Sequence, residues 1–74
     1  MRTMRTLHPQ HRQWLIERYG PEISAGQYFD LVLQQAEEQT VTKSNGVEVT
    51  RTVLADGRTV TRHSGLWETF YYVR

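Results

Sequence analysis

Three histidines, His8, His11 and His63, are the residues from which metal or acid-base chemistry could start. His8 and His11 stand three apart, a spacing that lets two imidazoles share one helix face, as a zinc site needs. The rest of such a site is missing. There is no H-E-x-x-H, and the chain has no cysteine, which excludes thiolate ligation, thiol catalysis and disulfides. Capping or surface positions account for the three imidazoles, and no metal or cofactor is expected. Among hydroxyl nucleophiles, Ser24 stands where a helix begins, and Ser44 and Ser64 stand beside turn-forming residues. None has the context of a Ser-His-Asp arrangement. Glu37 and Glu38 are adjacent and would point to different sides of a helix. The five glycines occur singly, not as a phosphate-cradling loop. One sheet and two helices offer little wall for a ligand pocket, so the chain reads as a binding protein and not as an enzyme.

Recognition chemistry is better represented. Eight of the nine basic residues are arginine, the side chain suited to bidentate carboxylate or phosphate contacts and to stacking. The net charge of +1 hides a segregation. Residues 1–20 carry Arg2, Arg5, Arg12 and Arg18 against Glu17; residues 21–39 carry Glu22, Asp30, Glu37 and Glu38 and no base; the remainder is again basic. The residues expected to contact a partner are Arg58, Arg62, His63, Phe70, Tyr72 and Arg74. Basic groups beside aromatics also make nucleic acid a second partner class, although the pI of about 8.2 lies below the range usual for it.

Two kinds of element must hold these residues. With 74 residues and 38% hydrophobic composition, the chain is one small domain, expected over residues 8–74 behind a flexible segment 1–7. His8-Pro9 opens a helix, since proline is favoured at the first helical position. Leu7, Trp14, Leu15 and Tyr19 recur at helical spacing, and Gly20-Pro21 ends the run. Ser24 and Gln27 form a capping box, with Ile23 and Tyr28 as its hydrophobic staple. This second helix is expected to fade near Glu38–Gln39. Beyond it the period becomes two, and Asn45-Gly46, Asp56-Gly57 and Ser64-Gly65 mark hairpins. Four strands are expected, at about 39–44, 47–55, 58–63 and 66–73.

The expected fold is α+β, with two N-terminal helices packed on one face of a four-stranded antiparallel meander. If every dipeptide is a two-residue turn, Lys43 opposes Glu48, Val53 opposes Val60, Arg51 opposes Arg62, and Arg62 opposes Trp67. One face then collects Val47, Val49, Val53, Val60, Trp67, Tyr71 and Val73 as the core. The other collects Thr50, Thr52, Thr59, Thr61, His63, Phe70 and Tyr72 toward solvent. The functional expectation is a small cytoplasmic protein-binding module, regulatory, adaptor or inhibitory, that uses the outer sheet face and the last strand. Proteins of this kind are familiar from phages and plasmids. The free edges of the first and fourth strands allow a homodimer. No apolar run approaches the ~20 residues of a membrane span.

Overall fold

A computed structural model describes the backbone of residues 9–74 and the side chains from residue 13 onward. The expected flexible segment 1–7 and the side chains of His8 and His11 lie outside the described residues. Helix α1 runs Pro9–Tyr19, strand β1 Glu22–Ile23, helix α2 Ala25–Gln35, and strands β2 Ala36–Ser44, β3 Val47–Leu54, β4 Thr59–Ser64 and β5 Thr69–Val73. All strands form one antiparallel sheet in the order β1-β5-β4-β3-β2. The α+β class and the hairpin succession therefore hold among the described residues, with a fifth strand added. Two residues are too few to reveal a period of two, so β1 is invisible as a pattern.

β1 exists because of how α1 ends. The Gly20 N–H closes the helix on the Ile16 carbonyl at 2.7 Å, and Gly20 then turns the chain at φ +101°. The Pro21 carbonyl next accepts from Val73 N–H at 3.0 Å, and Glu22 and Ile23 pair with Tyr72 and Tyr71. The last strand is thereby flanked on both sides, and the expectation of a free fourth-strand edge is corrected.

α2 begins as its capping box requires. Gln27 N–H donates to Ser24 Oγ at 3.1 Å, and Ser24 N–H donates to Gln27 Oε1 at 2.9 Å. The helix stops at Gln35, several residues before Glu38–Gln39, and runs directly into β2. Two forces favour that stop. The Gln35 carbonyl accepts from Ala55 N–H at 2.8 Å. Extending the helix would also set Glu37 and Glu38 against its negative C-terminal end.

The Asn45-Gly46 hairpin has the expected register, with Ser44 on Val47, Lys43 on Glu48 and Thr42 on Val49. Asn45 at φ +53° and Gly46 at φ +80° supply the two positive angles of a type I′ turn. Asp56-Gly57 does otherwise. Only Gly57 takes a positive φ there. Gly57 N–H donates to Leu54 O at 3.0 Å and Leu54 N–H to Arg58 O at 2.8 Å. The loop is the three residues Ala55–Gly57, a type I turn followed by a glycine bulge. Asp56 favours it because its Oδ1 accepts from Arg58 N–H at 2.9 Å, an Asx turn that keeps Asp56 out of the left-handed region.

That one extra loop residue moves the pairing by one position. Val53 meets Thr59, Thr52 meets Val60, Arg51 meets Thr61 and Thr50 meets Arg62. A shift of one turns every side chain of one strand to the other face relative to its neighbour. The expected pairing of Arg51 with Arg62 is therefore absent, and the two arginines stand on opposite faces. The final loop, Gly65–Glu68, is also longer than expected. Arg62 meets Tyr71 and not Trp67, although this even shift leaves the faces of β4 and β5 matched as expected.

The consequence is a three-layer arrangement, with one helix on each face. Thr50, Thr52, Leu54, Val60, Tyr71 and Val73 share the face under α2, where Tyr28 packs with Leu54 and Val60 and is flanked by Ile23, Leu31 and Val32. Thr61 and Tyr72 share the opposite face under α1, where the Tyr19 ring lies 5.7 Å from that of Tyr72. The expectation that both helices cover one face is corrected, and so is the division into a valine core and a threonine exterior. Thr52 and Thr61 are 0% and 1% exposed, whereas Trp67 and Val53 are 63% and 39% exposed. The physical reason is that α2 covers one face of β3–β5 while α1 covers the other face of β4 and β5, so Thr52 and Thr61 pack as small β-branched residues.

Candidate functional site

The six residues expected to contact a partner do not come together. Tyr72 is 0% exposed and belongs to the core beneath α1. His63 and Phe70 pair across β4 and β5 on that same face, both half-buried, with the His63 ring 6.3 Å from Tyr19. Arg62 is half-buried on the α2 face, with Nη1 3.9 Å from Glu48 Oε1. Arg58 is held at its own turn, its Nε 2.8 Å from Asp56 Oδ2. Arg74 is tied at the closed end of the sheet, donating from its guanidinium to the Glu17 carbonyl and pairing with Thr59 through backbone N–H and C=O.

Two side chains titrate away from their ordinary values. Burial between α2, on which it stands, and the sheet pushes the Tyr28 hydroxyl up, against a hydrogen bond with Thr52 and the nearby Arg62 charge, while Tyr71 adds to the rise. The Asp56 carboxyl is held down, chiefly by the Arg58 backbone N–H and then by its guanidinium. Both effects are local packing and turn chemistry.

The strongest recognition feature lies where α1 stops covering its face. β3 and β2 extend beyond the helix, and a cleft of about 450 Å³ opens between them and α1, lined by Arg18, Tyr19, Thr42, Val49 and Arg51. A second hollow of about 280 Å³ adjoins it through shared Thr42 and Arg51, with Thr40, Val53 and Thr59 as the remaining walls. Two guanidiniums and three threonine hydroxyls thus line a continuous concavity whose wall, among the described residues, contains no carboxylate. Arg18 lies 5.4 Å from the Trp14 ring centre and 5.7 Å from that of Tyr19, so aromatic planes hold it without neutralising it. Among the described residues neither Arg18 nor Arg51 forms an ion pair.

Sequence reasoning missed this cleft because its position depends on the register after Asp56. The four-residue spacing of Trp14 and Arg18 was the available signal. At the far end of the molecule Leu66 and Trp67 are exposed, and Leu66 packs over Gly46 of the hairpin turn. Among the described residues no group of histidine, aspartate and glutamate could hold a metal ion, and no helix is long and apolar enough to cross a membrane.

Comparison of the chain with protein families, curated proteins and solved structures finds no match.

Proposed function

We propose that the protein is a non-catalytic protein-binding module whose partner presents an acidic segment to the cleft between α1 and the β2–β3 hairpin. The observation that carries this reading is the pair Arg18 and Arg51, two cations in one concave wall that form no ion pair among the described residues. Arginines so placed donate bidentately to carboxylates, and threonine hydroxyls beside them can bond a peptide backbone. Such charge complementarity sets orientation and association rate. The outer sheet face and last strand are replaced as the contact surface, because helices cover both faces of β5 and β1 flanks its edge. A binding role is supported by the engagement of hydroxyls elsewhere: Ser24 caps α2, and Ser64 Oγ lies 3.1 Å from Thr69 Oγ1.

Nucleic acid would use the same cations. It is the weaker reading, because the planes of Trp14 and Tyr19 are taken by Arg18 and bases need free aromatic faces. The test is fluorescence anisotropy with a labelled glutamate-rich peptide, a lysine-rich peptide of equal length and a single-stranded oligonucleotide. The acidic peptide is expected to bind, and Arg18→Ala with Arg51→Ala to abolish binding while circular dichroism is unchanged. Equal binding of both peptides, or binding of the oligonucleotide alone, refutes the proposal.

A further inference from the structure

We propose that β2 is a homodimerisation strand that pairs antiparallel with β2 of a second copy about a two-fold axis at Thr40, joining two five-stranded sheets into one. Among the described residues β2 ends the sheet order, with β3 as its one neighbour, and all nine of its residues are exposed. At 3.3–3.4 Å per residue that is an edge about 30 Å long, a ready template for another strand.

Which backbone groups are free follows from the hairpin. Ser44 and Val47 close a two-residue turn, so that pair exchanges hydrogen bonds, and alternate residues Thr42 and Thr40 also point theirs toward β3. Gln39, Val41 and Lys43 consequently point N–H and C=O outward. Pairing about Thr40 places Gln39 opposite Val41 of the second copy and Val41 opposite its Gln39. Both members of each pair then carry outward groups, as an antiparallel ladder requires.

Charge selects this second copy and this direction. The strand reads acidic at one end, with Glu37 and Glu38, and basic at the other, with Lys43. Antiparallel pairing about Thr40 sets Glu37 opposite Lys43 of the second copy at both ends. Parallel pairing would set Glu37, Glu38 and Lys43 against their own like charges. The bulge between Ala36 and Glu38 lies outside the central Glu38–Thr42 ladder.

The second copy also completes a half-built groove. On the α2 face a hollow of about 410 Å³ is lined by Phe29, Val32, Gln39 and Val41 among others. Phe29 is exposed at its wall, and Leu33, one helical turn on, is 85% exposed. The two-fold axis places Val41 of the second copy beside Gln39, at the open side of that hollow. This inference does not rest on the acidic-partner reading, since it uses the strand's outer edge and the opposite face.

The experiment is sedimentation equilibrium of the full chain over a concentration series. The expected species has twice the 8.7 kDa chain mass. Val41→Pro removes an outward N–H without touching the β2–β3 ladder and is expected to give a monomer with an unchanged circular dichroism spectrum. Lys43→Glu is expected to weaken the dimer roughly tenfold, from two symmetry-related pairs, and Glu37→Lys added to it to restore the dimer. Lys43 also faces Glu48 within its own chain, but that contact is equally altered in both charge variants, so recovery reports the pair between copies. A monomer at every concentration overturns the proposal. So does a dimer that persists in a folded Val41→Pro, or one that the charge pair does not recover.

Discussion

Tyr71 and Tyr72 are neighbours in β5, and the three-layer arrangement assigns them to different helices. Tyr72 meets Tyr19 of α1 at a centroid distance of 5.7 Å. Tyr71 meets Tyr28 of α2 at 4.7 Å and Phe29 at 5.8 Å. Truncating a fully buried aromatic to alanine costs about 3–5 kcal/mol, against a total of about 4–11 kcal/mol for a domain this size. Alanine at position 72 would therefore leave little folded protein to measure. Leucine keeps most of the apolar volume and is expected to cost about 1–2 kcal/mol at Tyr72 and less at half-buried Tyr71. The informative quantity is the coupling in a double-mutant cycle followed by urea unfolding. Tyr19→Leu with Tyr72→Leu should show about 0.5–1.5 kcal/mol of coupling. Tyr19→Leu with Tyr71→Leu should be additive within about 0.5 kcal/mol. Tyr28→Leu should reverse the pattern, coupling to Tyr71→Leu and not to Tyr72→Leu. If Tyr19 and Tyr28 both couple to the same β5 tyrosine, the helices share one face and the reasoning fails.

Two further expectations concern the turns. Gly20→Ala should be among the most destabilising single changes, because a Cβ there would stand 2.1 Å from the Val73 carbonyl oxygen at a φ of +101°. Thermal unfolding measures it, and a variant as stable as wild type would show that β1 need not approach β5. Asp56 has a folded pKa below its ordinary 3.8, so its contribution is present in full above that value and is lost as pH falls through the folded value. Acid unfolding of Asp56→Ser should lack this component and show a smaller loss of stability over that range than wild type. Parallel acid profiles would remove the carboxylate from the account of the turn.

Much of the local structure was legible in the residues, and the global assignment of faces was not. Pro9, the Gly20-Pro21 stop, the Ser24–Gln27 box and the Asn45-Gly46 turn each act over a few residues, and each stands where its chemistry predicts. Asp56-Gly57 resembles Asn45-Gly46 in sequence. Aspartate there bonds Arg58 N–H and stays out of the left-handed region that Asn45 occupies, and the loop gains a residue. From that residue follow the burial of Thr52 and Thr61 and the separation of Arg51 from Arg62. The exposure of Val53 and the gathering of Arg18 and Arg51 in one cleft also follow. Valine-rich alternation pointed to the wrong core because β4 and β5 are covered on both faces and β3 on the α2 face that carries its threonines, and hydropathy then no longer marks an inside. Among the expected contact residues, Tyr72 is buried for a related reason. Tyr72 looked exposed beside threonines, but those threonines are themselves interior.

The register of β3 against β4 tests the account most directly. It can be read from cross-strand proton contacts in the nuclear Overhauser spectrum of the folded chain. The account predicts Thr52 opposite Val60 and Arg51 opposite Thr61. Contacts that place Val53 opposite Val60 and Arg51 opposite Arg62 would return the two-residue turn at Asp56-Gly57 and contradict it.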